Sequence, residues 1–189
     1  MTAAGDLSAL VERLGRMTHA LQFSTGLNPS QWEALRYLAR ANRYSTSPSA
    51  LAQYMGCTKG TVSQTLSALE AKGYVRRVRG RPDGRSVHLE VTQAGEALLC
   101  RDPLQILEKA GRDLPEDERA AMMRGMNRLL EQLCTEKGRA GFGVCNDCTH
   151  LEAGPCAGGE GKVCACGLTA EPLCTDEIDK LCVNFLAAS

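Results

Sequence analysis

The sequence predicts a mainly α, α+β fold: a helical body that contains one β-hairpin and ends in a small cysteine-rich tail. Several stretches carry apolar residues at spacings of three and four, as amphipathic helices do, and one later stretch alternates polar and apolar residues, as strands do. Seven of the ten cysteines lie within the last 50 of the 189 residues. The chain therefore divides into four parts, residues 1–27, 28–92, 93–137 and 138–189.

The first part predicts one amphipathic helix over residues 5–22. Six apolar residues recur there at helical spacing: Leu7, Leu10, Val11, Leu14, Met17 and Leu21. A polar break that contains Pro29 then interrupts the pattern. Residues 31–41 predict a second helix, for which Ser30 is the expected N-cap, with Glu33 at the capping-box position.

The next two predicted helices are joined by a tight turn. A short third helix is expected over residues 49–55 and ends at Gly56. Thr58 caps a fourth helix, which Gly73 closes. By the 3.6-residue period, one face of this fourth helix is apolar and the others are polar. The apolar residues are Val62, Leu66 and Leu69.

A basic β-hairpin follows the fourth helix. Residues 74–79 and 86–91 alternate as strands do, and residues 80–85 form the turn between them. Positive charge is concentrated here, although the formal net charge of the whole chain is zero. Such a surface attracts a polyanion. Against one acidic residue, Asp83, the basic residues are Lys72, Arg76, Arg77, Arg79, Arg81 and Arg85.

Two helices, a tight turn and a basic hairpin are typical of a winged helix-turn-helix. In this motif the second helix enters the major groove of double-stranded DNA, and the hairpin contacts the backbone or the minor groove. Short polar side chains suit base edges and phosphates, whereas arginines suit phosphates. A polar helix face alone is as often a solvated surface, but the adjoining turn and basic hairpin favour DNA. The candidate contacts are Thr58, Lys59, Thr61, Ser63, Gln64, Ser67, Arg79, Arg81, Asp83 and Arg85.

The third part predicts two further helices. Thr92 caps a fifth helix, and Pro115 opens a sixth, which ends near Gly138. The sixth helix is amphipathic. Its apolar stripe comprises Met122, Met126, Leu129, Leu130 and Leu133.

Three segments carry a family resemblance. NPSQWEALRYL at 28–38, TVSQTLSALEAKGYV at 61–75 and DGRSVHLEVT at 83–92 together resemble the MarR family of bacterial transcription regulators. The resemblance implies a homodimer, joined through the first helix and the last two helices, that binds a pseudo-palindromic DNA operator. It also implies that Arg85 contacts DNA at the wing tip, where Asp83 orients it through a charge-assisted hydrogen bond.

The tail requires something other than apolar burial to hold it together. It is rich in glycine and poor in large apolar residues, so the surface that it buries cannot offset its chain entropy. The first residues of the chain show neither a basic leader nor a cleavage site, and no stretch is long and apolar enough to span a membrane. These features predict a cytoplasmic protein, whose clustered cysteines are metal ligands or redox groups rather than disulfides.

The candidate metal ligands come from the seven tail cysteines. The tail opens with the spacing Cys145-x2-Cys148, which is typical of a metal-binding pair. The family resemblance extends more loosely into this region, which is similar to a cysteine-bearing extension of some MarR-like regulators. It implies four ligands, Cys145, Cys148, Cys166 and Cys182. This sequence adds Cys156, Cys164 and Cys174, which are alternatives for the third and fourth ligands.

Two kinds of metal centre match these thiols. Cys148 and Cys164 are separated by the 15 residues of a zinc ribbon, but the second pair, Cys164-x-Cys166, is shorter than a ribbon requires. An iron-sulfur cluster, 4Fe–4S or 2Fe–2S, accepts widely spread thiolates and suits a regulator, because hydrogen bonds tune its potential. We therefore expect a cluster that senses redox state, oxygen, nitric oxide or iron. The alternative is a structural zinc beside a small-molecule effector site.

The tail is expected to pack against the dimerisation helices, so that its metal state sets the separation of the two recognition helices. Cys57 is a possible redox thiol beside the fourth helix, although a small buried apolar residue is the more frequent role. Cys100 and Cys134 are expected to pack in the core, and His150 is a less favoured ligand. No enzyme is expected, because the first cysteine pair lacks the βαβ unit of a thioredoxin-like dithiol.

Overall fold

The computed structural model describes residues 3–23, 26–79, 87–139, 141–153, 164–174 and 176–188. The body consists, in chain order, of α1 (Ala3–Leu21), α2 (Pro29–Arg40), α3 (Pro48–Met55), α4 (Lys59–Ala71), β1 (Val75–Arg79), β2 (Val87–Val91), α5 (Gln93–Leu99), α6 (Gln105–Arg112) and α7 (Glu116–Glu136). The tail consists of β3 (Gly143–Val144), a 3₁₀ turn (Cys145–Asp147), β4 (Leu151–Ala153), β5 (Cys164–Cys166), β6 (Glu171–Leu173) and β7 (Leu181–Cys182). In the described part of the chain, no helix is long and apolar enough to cross a membrane.

The second helix begins earlier than predicted, at Pro29. Proline at the first helical position has a suitable φ and needs no N–H partner, and it biases the preceding residue, Asn28, towards an extended conformation. The Asn28 side chain accepts a hydrogen bond from the N–H of Gln31, and the Gln31 side chain accepts one from the N–H of Asn28. The predicted capping box of Ser30 and Glu33 is therefore wrong by two residues.

The helix-turn-helix of α3 and α4 forms as predicted. Ser47 caps α3, and Gly56 ends it at a φ of 60°, in the left-handed region that favours glycine. The hydroxyl of Thr58 accepts a hydrogen bond from the N–H of Thr61 and caps α4. Gly73 closes α4 at a φ of 75°.

The predicted wing is also present. β1 and β2 pair antiparallel along all five residues of each strand. The connection from α2 to α3 joins this sheet, because the N–H of Leu89 in β2 donates to the carbonyl of Thr46 over 2.8 Å. The candidate contacts Arg81, Asp83 and Arg85 lie outside the described residues.

One hydrophobic core fixes the recognition helix and the wing to the rest of the domain. Helices α2, α3 and α4 and strand β2 supply side chains that are at most 1% exposed: Trp32, Leu35, Leu51, Val62, Leu66, Leu69 and Leu89. Leu181, from β7 in the tail, belongs to the same core. The tail is therefore packed onto the domain that contains α2, α3, α4 and the wing.

The chain after the wing contains one more helix than predicted, since α5 and α6 are separate. Proline lacks an N–H and disfavours helix in the preceding residue, so Pro103 breaks the segment. The carboxylate of Asp102 stabilises the break by accepting from the N–H of Leu104 over 2.8 Å. Cys100 lies at the end of α5 and is exposed, so its predicted core position is wrong, whereas Cys134 is half-buried.

Three helices present apolar side chains to solvent. Leu10 in α1 is 64% exposed, Ile106 in α6 is 63% exposed and Leu130 in α7 is 59% exposed. No residue of α6 or α7 is buried. Apolar surface on this scale is typical of helices that pack against another molecule.

Candidate nucleic-acid interface and cysteine centre

Helix α4 is fixed by one face and presents the others to solvent. Its buried side chains are Val62, Thr65, Leu66 and Leu69. The predicted DNA contacts of this region all lie among the exposed residues: Thr58, Lys59, Thr61, Ser63, Gln64 and Ser67. Thr58 also has a structural role, because its hydroxyl caps the helix and lies 2.9 Å from the hydroxyl of Thr61.

The basic residues of the wing are less free than their number suggests. Arg76 pairs with Glu90 across the hairpin, with 2.5 Å between Nη2 and Oε2. Arg77 pairs with Glu70 of α4, with 2.9 Å between Nη1 and Oε2. These pairs neutralise two charges that the sequence attributes to a polyanion-binding surface. Arg79 is exposed at the end of β1 and remains a candidate phosphate contact.

Lys72 is also engaged by the protein itself. Its Nζ donates to the carbonyl of Gly26 over 2.7 Å and to the side chain of Gln31 over 3.2 Å. Cys57, the candidate redox thiol, is half-buried and packs against the main core. This packing supports the small apolar role rather than a sensor.

The tail brings four cysteines to one small recess. Cys145 lies in the 3₁₀ turn, Cys148 follows it, Cys166 ends β5 and Cys182 ends β7. Cys148 is half-buried and the other three are buried. His150 lines the same recess, with Leu151, Leu173 and Asn184. The four thiols are those that the family resemblance implied.

The alternative cysteines occupy different places. Cys164 is half-buried and packs beside the cluster of Cys145, Cys166 and Leu173. Cys174 is exposed, and Cys156 lies outside the described residues. Of the two alternatives in the described part of the chain, Cys164 is thus the one that packs against residues of the recess.

The recess favours protonated thiols in the absence of a cation. Burial first, and then the neighbouring thiols of Cys182, Cys148 and Cys166 and the carboxylate of Glu177, raise the pKa of Cys145 to about 11. A bound cation reverses this balance, because metal ligation requires thiolates. The thiols could therefore act as metal ligands only after they lose their protons.

The separation of the donors can be compared with what a single metal ion requires. A single zinc ion holds its thiolates about 2.3 Å from one point. In the described part of the chain, no three Cys, His, Asp or Glu side chains are close enough together to hold one metal ion. The described side chains, as they stand, therefore do not form a site for a single metal ion.

In its described part, the tail packs against the connection between α2 and α3, whereas we expected it to pack against the dimerisation helices. This connecting segment, residues 41–46, bonds to the last strand of the tail: the N–H of Asn42 donates to the carbonyl of Leu181 over 2.9 Å. The N–H of Val183 donates to the hydroxyl of Ser45 over 2.8 Å. A strand needs partners for its backbone groups, and a helix surface has none to offer, because its own backbone is internally bonded.

Polar contacts of Arg43 and Tyr44 strengthen the packing of the connecting segment against the tail. Arg43 donates to the carbonyl of Pro172 over 2.6 Å and lies 3.4 Å from Glu171 and 3.6 Å from Glu177. The guanidinium also stacks on the ring of Tyr44, whose hydroxyl donates to Glu171 over 2.8 Å. The connecting segment is thus bound to β6 as well as to β7.

A helix-turn-helix followed by a two-stranded wing, built on one core, defines a winged-helix domain. Residues 25–86 match the model of the MarR family. The chain is 30% identical over 87 residues to the transcriptional repressor YetL of Bacillus subtilis, an alignment that covers 44% of this chain and 52% of YetL. Over residues 25–86 the winged-helix domain is therefore similar to domains of the MarR family. The chain spans about half the length of the curated relatives that it matches.

Solved structures share this fold over more of the chain. The transcriptional regulator PA3341 is 28% identical, with a TM-score of 0.55, and the match covers 68% of this chain and 96% of that one. FabT of Streptococcus pneumoniae, solved in complex with DNA, is 26% identical, with a TM-score of 0.52 over 69% of this chain and 94% of FabT.

Proposed function

We propose that this protein is a homodimeric, DNA-binding transcriptional regulator of the MarR type. The observation that carries the proposal is the exposed polar face of α4 beside the wing, since this face has no role in the core. Gln64 is the residue best suited to reading a base edge, because its amide both donates and accepts. Lys59 and Arg79 are suited to phosphates, together with Arg81 and Arg85 of the wing turn.

A second copy of the chain accounts for the exposed apolar side chains of α1, α6 and α7. Leu10, Ile106 and Leu130 lie on three helices that the family resemblance assigns to dimerisation. Burying each such side chain contributes about 1.5–3 kcal/mol, which favours association. A twofold dimer presents two α4 helices and therefore reads a pseudo-palindromic operator.

The tail cysteines are proposed to hold an iron-sulfur cluster, with a structural zinc as the alternative. Cys145, Cys148, Cys166 and Cys182 supply four thiolates, and Cys164 or His150 can replace one of them. When bound, the cluster supplies a group that changes its oxidation state, or is lost, in response to redox state, oxygen, nitric oxide or iron. The residues of this chain bury the centre between short strands and limit its exposure to solvent.

DNA binding is tested by selecting bound duplexes from a random pool and measuring their affinity by fluorescence anisotropy. The wild type should enrich a sequence with twofold symmetry. Replacement of Gln64 by Ala should cost about 1–3 kcal/mol at one position of each half-site and relax the preference there. Gln93→Ala, at an exposed glutamine outside α4, is the matched control. Failure of the wild type to enrich any sequence would refute the proposal.

The metal centre is tested on protein purified without oxygen. Iron and acid-labile sulfide, together with a visible thiolate-to-iron absorption, would identify a cluster, whereas zinc gives a colourless protein. Cys182→Ser should lower the metal content, and Cys174→Ser, at an exposed cysteine, should leave it unchanged. One zinc per chain without iron would favour a structural tail and a separate effector.

A further inference from the structure

The two hydrogen bonds on either side of Cys182 both end on the connecting segment. The carbonyl of Leu181 accepts from the N–H of Asn42, and the N–H of Val183 donates to the hydroxyl of Ser45. Because these bonds involve the immediate neighbours of Cys182, a displacement of the Cys182 backbone strains them. The connecting segment therefore senses the position of β7 directly.

Ser45 is held too tightly to absorb such a displacement. It is fully buried, and its hydroxyl donates to the side-chain oxygen of Asn42 over 2.7 Å. Its carbonyl accepts from the hydroxyl of Tyr37 over 2.8 Å. Movement of β7 therefore displaces the backbone of the connecting segment, because the Ser45 side chain is not free to rotate.

The residue after Ser45 contacts the wing. The carbonyl of Thr46 accepts from the N–H of Leu89 over 2.8 Å, and its hydroxyl lies 3.1 Å from Nδ1 of His88. Both partners belong to β2. One peptide unit therefore separates the contact with the tail from the contact with the wing.

We infer that the connecting segment transmits the ligation state of the tail cysteines to the wing, and so adjusts DNA affinity within each subunit. This inference rests on the proposed DNA-binding function. Ser45 and Arg43 are positioning residues: Ser45 ties β7 to the segment, and Arg43 ties β6 to it. Thiols that gather around a metal pull β7 and β5 together, and the segment carries that shift to β2. Such a switch requires the segment to take two positions, one for each ligation state of the cysteines.

The test compares protein reconstituted with iron and sulfide, or with zinc, against reduced metal-free protein. Deuterium uptake is measured without DNA in peptides that cover residues 41–46 and 87–91, and DNA affinity is measured separately. In the wild type, metal loading should slow exchange in both peptides and change the DNA affinity by about fivefold or more. In Ser45→Ala and Arg43→Ala, loading should still protect the tail but not residues 87–91, and the affinity ratio should fall towards one.

Arg112→Ala is the matched control, because it removes the same charge and its described partner, Glu108, is on its own helix. It should behave as the wild type does. If Ser45→Ala fails to fold, the test rests on Arg43→Ala. The Arg43 side chain is 42% exposed, so its removal leaves no buried cavity. Load-dependent protection in α1 and α7 without any at residues 87–91 would overturn the inference, as would unchanged coupling in both variants.

The proposed function fails separately, if neither the loaded nor the metal-free protein binds DNA. The exchange pattern would then still decide whether the tail and the wing are coupled. If loading changes no exchange rate in the tail itself, the cysteines have no ligation state to transmit, and the inference is overturned.

Discussion

Arg36 in α2 holds Asp102, 66 residues later, through two parallel hydrogen bonds of 2.5 and 2.8 Å. The side chains are 23% and 11% exposed, so this pair is largely shielded from solvent. Arg36 also donates to Gln22, which follows α1, over 2.8 Å. One guanidinium therefore joins the start of the winged-helix domain to the chain segments on either side of it.

Loss of this pair should be costly. Asp102→Ala leaves the Arg36 charge unpaired and removes the acceptor for the N–H of Leu104, so we expect a loss of about 2 kcal/mol in the free energy of unfolding. The matched control is Glu12→Ala, which breaks an exposed pair with Arg16 and should cost less than about 0.5 kcal/mol. Urea unfolding at a fixed protein concentration measures both. Equal losses in the two variants would contradict a special role for Asp102.

The position of the α2 cap predicts a difference between two neighbouring residues. Asn28→Ala removes the acceptor for the N–H of Gln31 and should cost about 1 kcal/mol. Ser30→Ala changes an exposed residue inside the first turn and should remain within about 0.5 kcal/mol of the wild type. Thermal unfolding of the two variants distinguishes the observed cap from the one that the sequence suggested.

Tyr37 should make the protein sensitive to alkaline pH. Burial, together with the nearby Cys182 and Tyr54, raises the pKa of its phenol well above the ordinary value of 10.0. The neutral phenol is therefore favoured in the folded state, so its contribution to stability is complete below about pH 10 and is lost as the pH rises through the folded pKa. The loss approaches about 1.4 kcal/mol per pH unit for one group.

The control is Tyr37→Phe, which has no phenol to ionise. Its free energy of unfolding should be lower at neutral pH, by about 1 kcal/mol for the lost bond to Ser45, but should fall less steeply above about pH 10. Burial also raises the pKa of Tyr54, so part of the slope should persist. Parallel slopes for the two proteins would show that Tyr37 does not titrate with unfolding.

Local signals in the sequence were sufficient for much of the DNA-binding domain. The caps at Thr58 and Thr92 and the stop at Gly73 depend on nearby backbone groups, so short-range spacing predicts them. The hairpin followed from period-two alternation. The predicted α2 cap was wrong because two polar residues, Asn28 and Ser30, competed for one role, and Pro29 between them decided which residue caps the helix.

The relation between the tail and the body could not be predicted in this way. Contacts such as that of Ser45 with Val183 join residues 138 apart, and no periodicity encodes them. The pairing of Arg76 and Arg77 with Glu90 and Glu70 was likewise invisible in a charge count. The convergence of the tail cysteines was anticipated through the family resemblance, since seven cysteines allow many sets of four.

Gly95 should tolerate no side chain. A Cβ atom there would overlap the carbonyl of Tyr74 and lie 2.7 Å from Cγ1 of Val91, so the backbone between β2 and α5 would have to move. We expect Gly95→Ala to cost about 1–3 kcal/mol. At Gly60 the nearest atom to a new Cβ is the hydroxyl of Thr58 at 3.7 Å, and Gly60→Ala should instead stabilise α4 by about 0.5–1 kcal/mol. Opposite signs in thermal unfolding would agree with this geometry.

Two lysines near the ends of α4 should differ in how they affect DNA binding. Lys59 is exposed at the first residue of the helix, whereas Nζ of Lys72 is bonded to Gly26 and Gln31. If Lys59 neutralises a phosphate, Lys59→Ala should weaken binding to all DNA sequences alike. It should also lower the slope of log affinity against log salt by about 0.9 per contact, or about 1.8 for a dimer. Lys72→Ala removes the same charge and should leave the slope unchanged, although it should lower stability. Measuring the affinities at several salt concentrations gives these slopes. Equal slopes for the wild type and Lys59→Ala would show that Lys59 does not contact DNA. A reduced slope for Lys72→Ala would show that the charge of Lys72 interacts with DNA despite its internal bonds.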